Sequence, residues 1–206
     1  MSLAALDSSK HAHFQAKNPL TRRVFAHFFH TLEDAVRPLQ ARSILDAGCG
    51  EGLVLKMLEP YLGTVRCRAF DANPAEVADA QKNIPFAQPD VGDIYHIPFA
   101  DKSFELVLCT EVLEHLEDPE AALRELRRVA SRYAVLSVPH EPWWRILNLL
   151  RGQYWSTWGN TPDHRNHWTP RAFAAFARRQ FPKVRRCRAF PWTILVCETG
   201  AGHEER

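Results

Sequence analysis

The sequence predicts an α/β fold: a mainly parallel sheet, doubly wound by helices, in one domain over residues 1–206. Three observations carry that prediction. Short apolar runs alternate with helical stretches of about ten residues, the spacing that crossovers between parallel strands require. The first apolar run ends in a glycine-rich turn, Gly48-Cys49-Gly50-Glu51-Gly52, a device that joins a buried strand to a helix N-terminus. A hydrophobic share of 46% over 206 residues is enough for one core.

The elements follow in order. Residues 1–17 are polar and irregular and read as a loose arm, so His11 and His13 are tail residues rather than a metal pair. From Pro19 to Val36, Val24, Phe25, Phe28, Phe29, Leu32 and Val36 recur at helical spacing, with Pro38 ending the helix. Ser43 to Asp46 is a buried strand, and Gly52 to Tyr61 a helix closed by Gly63. Thr64 to Phe70 is a strand, then Pro74 to Asn83 a helix capped by Asn73 with proline in its first turn. A weak strand lies near Phe86 to Val91 and a stronger one at Phe104 to Cys109. Asp118 caps an amphipathic helix at Pro119 to Val129, which leads to a strand at Tyr133 to Val138. The stretch 139–168, rich in Trp, Pro, His and Asn, is too long for an ordinary connection and reads as a cap or binding loop. A helix at Pro170 to Arg179 and strands near Val184 to Ala189 and Thr193 to Cys197 complete the chain.

Bulk properties exclude several classes. The formal charge of +2 gives no global field for nucleic acid or an anionic membrane. Five scattered cysteines show neither a CxxC pair nor metal-ligand spacing, and so read as reduced thiols. Neither a signal peptide nor a run of roughly 18 apolar residues is apparent, so the expectation is a soluble, cytoplasmic protein.

The chemistry lies at three strand ends. Asp46 precedes the turn formed by Gly48, Cys49 and Gly50, whose GxGxG spacing and leading acid suit a ligand ammonium better than a pyrophosphate. Asp71, with Ala72, follows the second strand, where an acid accepts hydrogen bonds from ribose hydroxyls. Asp93 and Ile94 follow the third, a carboxylate for an adenine amino group and an apolar cover for its ring.

These stretches, LDAGCGEG (45–52), FDANP (70–74), GDIYHIPFADKSFELVLCTEVLEHLEDP (92–119) and LSVPHEP (136–142), resemble the class I S-adenosylmethionine-dependent methyltransferases, particularly the type-11 group. The resemblance implies a Rossmann-like sheet of seven strands in order 3-2-1-4-5-7-6, the last antiparallel. It also implies S-adenosyl-L-methionine as cofactor, with Gly48 and Gly50 along its methionine and ribose. Asp71 would hold the ribose and Asp93 with Ile94 the adenine, with Thr110 and Glu111 edging the sulfonium side.

Methyl transfer from a sulfonium needs alignment more than acid–base machinery, so no catalytic triad is expected. His115 and His140 are the candidates for orienting or deprotonating an acceptor. If Glu111 to His115 is helical, Glu111, Glu114 and His115 share one face, and the segment resembles the ExxEH element of ubiquinone-pathway O-methyltransferases and small-RNA 2′-O-methyltransferases. Those pair it with a later His, for which His140, His164 and His167 are candidates, but packing beside the cofactor is the simpler reading and no metal ligand is assigned. Trp143, Trp144, Tyr154, Trp155, Trp158 and Trp168 suit a small-molecule acceptor pocket under the cap. The expected reaction is transfer to oxygen or nitrogen of a small molecule. The alternatives are an RNA-directed enzyme tracking phosphates with Arg178, Arg179, Lys183, Arg185, Arg186 and Arg188, and a non-catalytic S-adenosylmethionine-binding protein.

Overall fold

A computed structural model describes residues 19–141, 143 and 164–200. The predicted arm, His11 and His13, and most of the 139–168 stretch, including Trp144, Tyr154, Trp155 and Trp158, lie outside the described residues.

Seven strands form one sheet in the order β3-β2-β1-β4-β5-β7-β6. They are β1 (Ser43–Ala47), β2 (Arg66–Asp71), β3 (Pro89–Val91), β4 (Phe104–Thr110), β5 (Ala130–Pro139), β6 (Lys183–Ala189) and β7 (Trp192–Glu198). All pairings are parallel except those of β7 with β5 and β6. The helices are α1 (Pro19–Val36), α2 (Leu53–Leu62), α3 (Pro74–Asn83), α4 (Pro119–Val129) and α5 (Pro170–Ala177). This is the doubly wound architecture and strand order that the resemblance implies.

Alternation along each strand sorts the core into two layers. Ile44, Cys67, Ala69, Leu106, Leu108, Val135, Ile194 and Val196 join the apolar faces of α1, α2 and α3. Leu45, Ala47, Val107, Cys109, Ala134, Leu136 and Leu195 meet α4 and α5 on the other side. α4 shows how such an element is specified. The Asp118 carboxylate accepts from Ala121 N at 2.9 Å, Pro119 occupies the first turn, and Ala122, Leu123, Leu126 and Val129 are fully buried on one face. Each buried leucine contributes about 1.5–3 kcal/mol over an exposed one.

Two expectations shift. β3 spans only Pro89–Val91, because Pro85–Ala87 coils into a 3-10 turn ending at Gln88 with φ 47°, and prolines 85 and 89 both lack an amide donor. β5 begins at Ala130 rather than Tyr133, directly against the end of α4, and its early residues reach β4 through a register shift near Phe104. The five cysteines are unbridged, four of them buried. Among the described residues, no helix is long and apolar enough to cross a membrane.

Candidate functional site

The strand order reverses at β1, whose neighbours β2 and β4 continue the chain in opposite directions across the sheet. Ligands of such sheets bind beyond the carboxyl ends of strands at that point. A cavity of about 490 Å³ lies there, lined by the glycine turn, the ends of β2 and β4, and the segment after β3.

The turn is built by tertiary contacts as much as by glycine. The amides of Gly48 and Cys49 both donate to Phe70 O at 2.9 Å, fastening the end of β1 to β2. Gly48 has φ +79°, and a Cβ there would sit 2.5 Å from a Val112 methyl. Its glycine thus answers a packing demand as well as a backbone one. Gly50 differs, because a Cβ would meet only Glu76 Oε2 at 3.9 Å. That is where the chain leaves room for something else.

Asp71 holds this turn. Its Oδ2 accepts from Gly50 N at 2.8 Å and its Oδ1 from Asn73 N at 2.9 Å. Asp71 lines the cavity with Ala72 and Asn73, and Asn73 separately caps α3 by accepting from Ala75 N at 3.0 Å. Asp46 takes a different place. It is fully buried behind the turn and does not line the cavity, and neither carboxylate oxygen has a hydrogen-bond partner among the described residues. Burial, reinforced by Asp71, pushes its pKa up to about 7. Cys49 lines the cavity, but burial and the charges of Asp46 and Asp71 raise its thiol far above the usual range, so it is a neutral group.

At the third strand end, Asp93, Ile94 and Tyr95 line the cavity. The Asp93 carboxylate is already engaged, with Oδ1 accepting from Tyr95 N at 2.8 Å and Oδ2 lying 3.0 Å from His96 Nδ1. The His96 contact and the Tyr95 amide hold its pKa below the ordinary value. Ile94 is buried, as an apolar wall should be.

After β4 the helical premise fails. Glu111 has φ 59°, and only Leu113–His115 coils, as a single 3-10 turn. Glu111 therefore does not share a helical face with Glu114 and His115. Its Oε1 instead accepts from Ser137 Oγ and its Oε2 from Trp192 Nε1, both at 2.7 Å. Both oxygens serve the scaffold, although the residue lines the cavity with Thr110, Val112 and His115. Burial raises the Glu111 pKa to about 7 against those two hydrogen bonds.

The two candidate catalytic histidines part company. His115 is exposed at the cavity, with its ring 5.0 Å from that of His164. His140 does not line the cavity; it stacks edge-on against Phe190 at 5.9 Å and its amide donates to Pro191 O. Burial and Arg186 depress its pKa. The basic run of the C-terminal third is divided as well. Alternation along β6 sets Lys183 and Arg185 opposite Arg186 and Arg188, while Arg179 pairs with Glu120 and Lys183 with Glu198.

Sequence reasoning missed Phe28 and Phe29 of α1, which reach the cavity from before the first strand. An apolar doublet in the helix entering the sheet was the available signal. It also missed Tyr95 and Glu76.

The family described as "Methyltransferase domain" matches residues 45–138. Norajmaline N-methyltransferase of Rauvolfia serpentina is 37% identical over 109 residues, covering 48% of this chain and 37% of the relative. A malonyl-[acyl-carrier protein] O-methyltransferase of Halorhodospira halophila is 32% identical over 117 residues, covering 55% and 39%. The chain thus spans well under half the length of these curated relatives. Among solved structures, the magnesium protoporphyrin IX methyltransferase from Synechocystis with bound SAH superposes with TM-score 0.64 at 17% identity, over 96% of this chain and 92% of that one. A possible histamine N-methyltransferase from Thermotoga maritima gives 0.64 at 14% identity, over 86% and 92%.

Proposed function

We propose, from the match of residues 45–138 to a methyltransferase domain, that the protein transfers a methyl group from S-adenosylmethionine to oxygen or nitrogen of a small-molecule acceptor. The observation that carries the reading is the distribution of acids around one cavity: Asp71 and Asp93 line it, and Asp46 is buried at its glycine turn.

The donor set suits the cofactor. Its adenosyl portion needs a carboxylate for vicinal hydroxyls and an apolar slot for the base, and Asp71 stands beside Ile94 and Phe70 on the same cavity. Its amino-acid portion carries an ammonium, for which the uncompensated Asp46 carboxyl supplies negative potential through the turn. The bound cofactor supplies an electrophilic methyl on a sulfonium. The chain's residues do the rest. Gly48, Cys49 and Gly50 line the cavity with Ala72 and Thr110, and Phe28 and Phe29 add apolar wall from α1.

Displacement at a sulfonium methyl is governed by in-line approach, so holding an acceptor at the right angle supplies much of the acceleration. His115 is the group placed to orient an acceptor or take its proton at an imidazole nitrogen. The proposal gives His140 no part in the reaction, since its ring faces Phe190. Both nitrogen and oxygen acceptors occur among the relatives' names, and neither is preferred here. Trp168, packed on Phe173 and Phe176 at 5.4 Å each, anchors the return of the 139–168 stretch to α5. That stretch is accordingly proposed as the acceptor cap.

The test is transfer of labelled methyl to a panel of phenols, amines and carboxylates, alongside calorimetry with S-adenosylmethionine. Cofactor binding with turnover on one class is the expected result. Binding with no transfer to any class would leave a non-catalytic binding protein, and nicotinamide binding without S-adenosylmethionine binding would overturn the whole reading.

A further inference from the structure

Beside the cofactor cavity, two sets of ligand atoms converge on one imidazole. Glu114, His115 and His164 bring one atom each within 4.8 Å of one another, and so do Glu141, His164 and His167. Three separate parts of the chain contribute: the 3-10 turn after β4, the residues following β5, and the irregular segment entering α5. We propose that Glu114, His115 and His164 form a divalent transition-metal site at the edge of the cofactor cavity, with Glu141 and His167 standing on the other side of the shared His164.

The backbone beneath this cluster is fastened in place. Arg165 N and Asn166 N donate to Glu114 O at 2.8 and 2.9 Å, and the Asn166 side chain donates to Leu113 O at 3.2 Å and Leu116 O at 2.7 Å. Glu141 N donates to Trp168 O at 3.1 Å, and Arg165 pairs with Glu117. These contacts fix the backbone around the three histidines and two acids.

A buried charge points the same way. Glu114 is 1% exposed, and its Oε2 has no hydrogen-bond partner among the described residues. Its Oε1 lies 4.0 Å from His115 Nε2, and Glu141 Oε1 lies 3.6 Å from His167 Nδ1. An isolated buried carboxylate is costly, whereas one on a metal is satisfied. In a formed site with metal–ligand bonds of about 2.1 Å, ligand atoms stand roughly 3–4 Å apart, within reach of small side-chain rotations from this arrangement.

The donor set selects the ion. Two imidazoles with a carboxylate suit Zn²⁺, Mn²⁺, Fe²⁺ or Co²⁺, whereas Mg²⁺ and Ca²⁺ prefer oxygen alone. Glu111 is outside the set because Ser137 and Trp192 take both its oxygens. The site stands on its own geometry. Only its service to an acceptor, polarising a hydroxyl or fixing its direction, rests on the methyl-transfer reading.

The experiment titrates the protein, with His11, His13 and His203 replaced by alanine, with Co²⁺ and Mn²⁺. Cobalt absorption, manganese resonance and calorimetry are the readouts. One ion per chain is expected, with the visible bands of a nitrogen-containing cobalt site. His115→Ala and His164→Ala should each weaken binding by at least about 100-fold, while His30→Ala, on the exposed face of α1, leaves it unchanged. Glu114→Gln keeps the side-chain volume and should also abolish the site, with circular dichroism reporting the fold. Absence of stoichiometric binding, or binding indifferent to both His115 and His164, would remove the proposal. S-adenosylmethionine affinity of the protein with Glu114, His115 and His164 intact keeps the two readings separate: cofactor binding without metal defeats this inference alone, and metal without cofactor defeats the methyl-transfer reading alone.

Discussion

Burial, with the neighbouring Asp71 pushing in the same direction, lifts the Asp46 carboxyl to about 7. A carboxyl whose folded pKa exceeds its unfolded value favours the folded state below the unfolded pKa, and that advantage is lost as pH rises through the folded one. For Asp46 the window runs from the ordinary value of 3.8 to about 7, and the shift corresponds to a cost on the order of 4 kcal/mol at alkaline pH. Asp46→Asn should therefore stabilise the cofactor-free protein at about pH 8 and make little difference near pH 4. Thermal melts of both proteins across that range measure it, and parallel curves would contradict it. The same substitution should weaken S-adenosylmethionine binding, since it removes the potential that attracts the ammonium. Asp71→Ala acts on geometry instead. Losing two charge-assisted amide bonds, and the proposed ribose contact, should lower cofactor affinity about 10- to 100-fold with the fold retained, as calorimetry and circular dichroism can establish. His115→Ala should lower turnover far more than cofactor affinity, and equal losses would assign it to packing.

Between β3 and α4, the chain depends on one arginine. Arg128 donates to Phe99 O and Ile97 O at 2.7 and 2.8 Å, and also meets Glu125 and Asp101. Those four partners tie residues 97–101 to α4, and Glu125 reaches on to Ile97 N at 2.9 Å. Arg128→Ala should cost about 1–3 kcal/mol, read as a shift in the denaturant midpoint, and should speed hydrogen exchange in residues 96–102. Arg128→Lys should recover only part of this, because a single ammonium cannot replace the fork. The helices themselves were legible in the sequence, because proline, Asn73 and Asp118 act locally as caps and the apolar spacing needs no partner to be seen. The segment from Glu111 to His115 was not. Its helical reading assumed that local spacing decides, whereas Glu111 is held at φ 59° by Ser137 O on its amide and by Ser137 and Trp192 on its carboxylate. Those partners lie 26 and 81 residues away in the chain. Gly48 teaches the same lesson, since nothing near it in the sequence announces that Val112 will fill the space beneath it.

Across the whole molecule, the alternation of strands with helices and the acids at successive strand ends make the sheet and the cavity's place in it legible in the sequence. The acceptor side was opaque for a physical reason: His164 and His167 meet Glu114, His115 and Glu141 only through tertiary folding of a long stretch with no periodicity. The bond from Trp192 to Glu111 has a wider reach than its 2.7 Å suggests. Trp192 opens β7, packs on Phe25 and Phe28 of α1 at 5.2 and 4.9 Å, and so joins the end of the chain to a helix that walls the cavity. Those contacts give a bound cofactor a route to steady β7. S-adenosylmethionine should slow amide exchange at Thr193 to Val196, residues that do not line its cavity, and Trp192→Phe should uncouple them. The last strand would then serve as a distant gauge of whether the first strand's turn is filled.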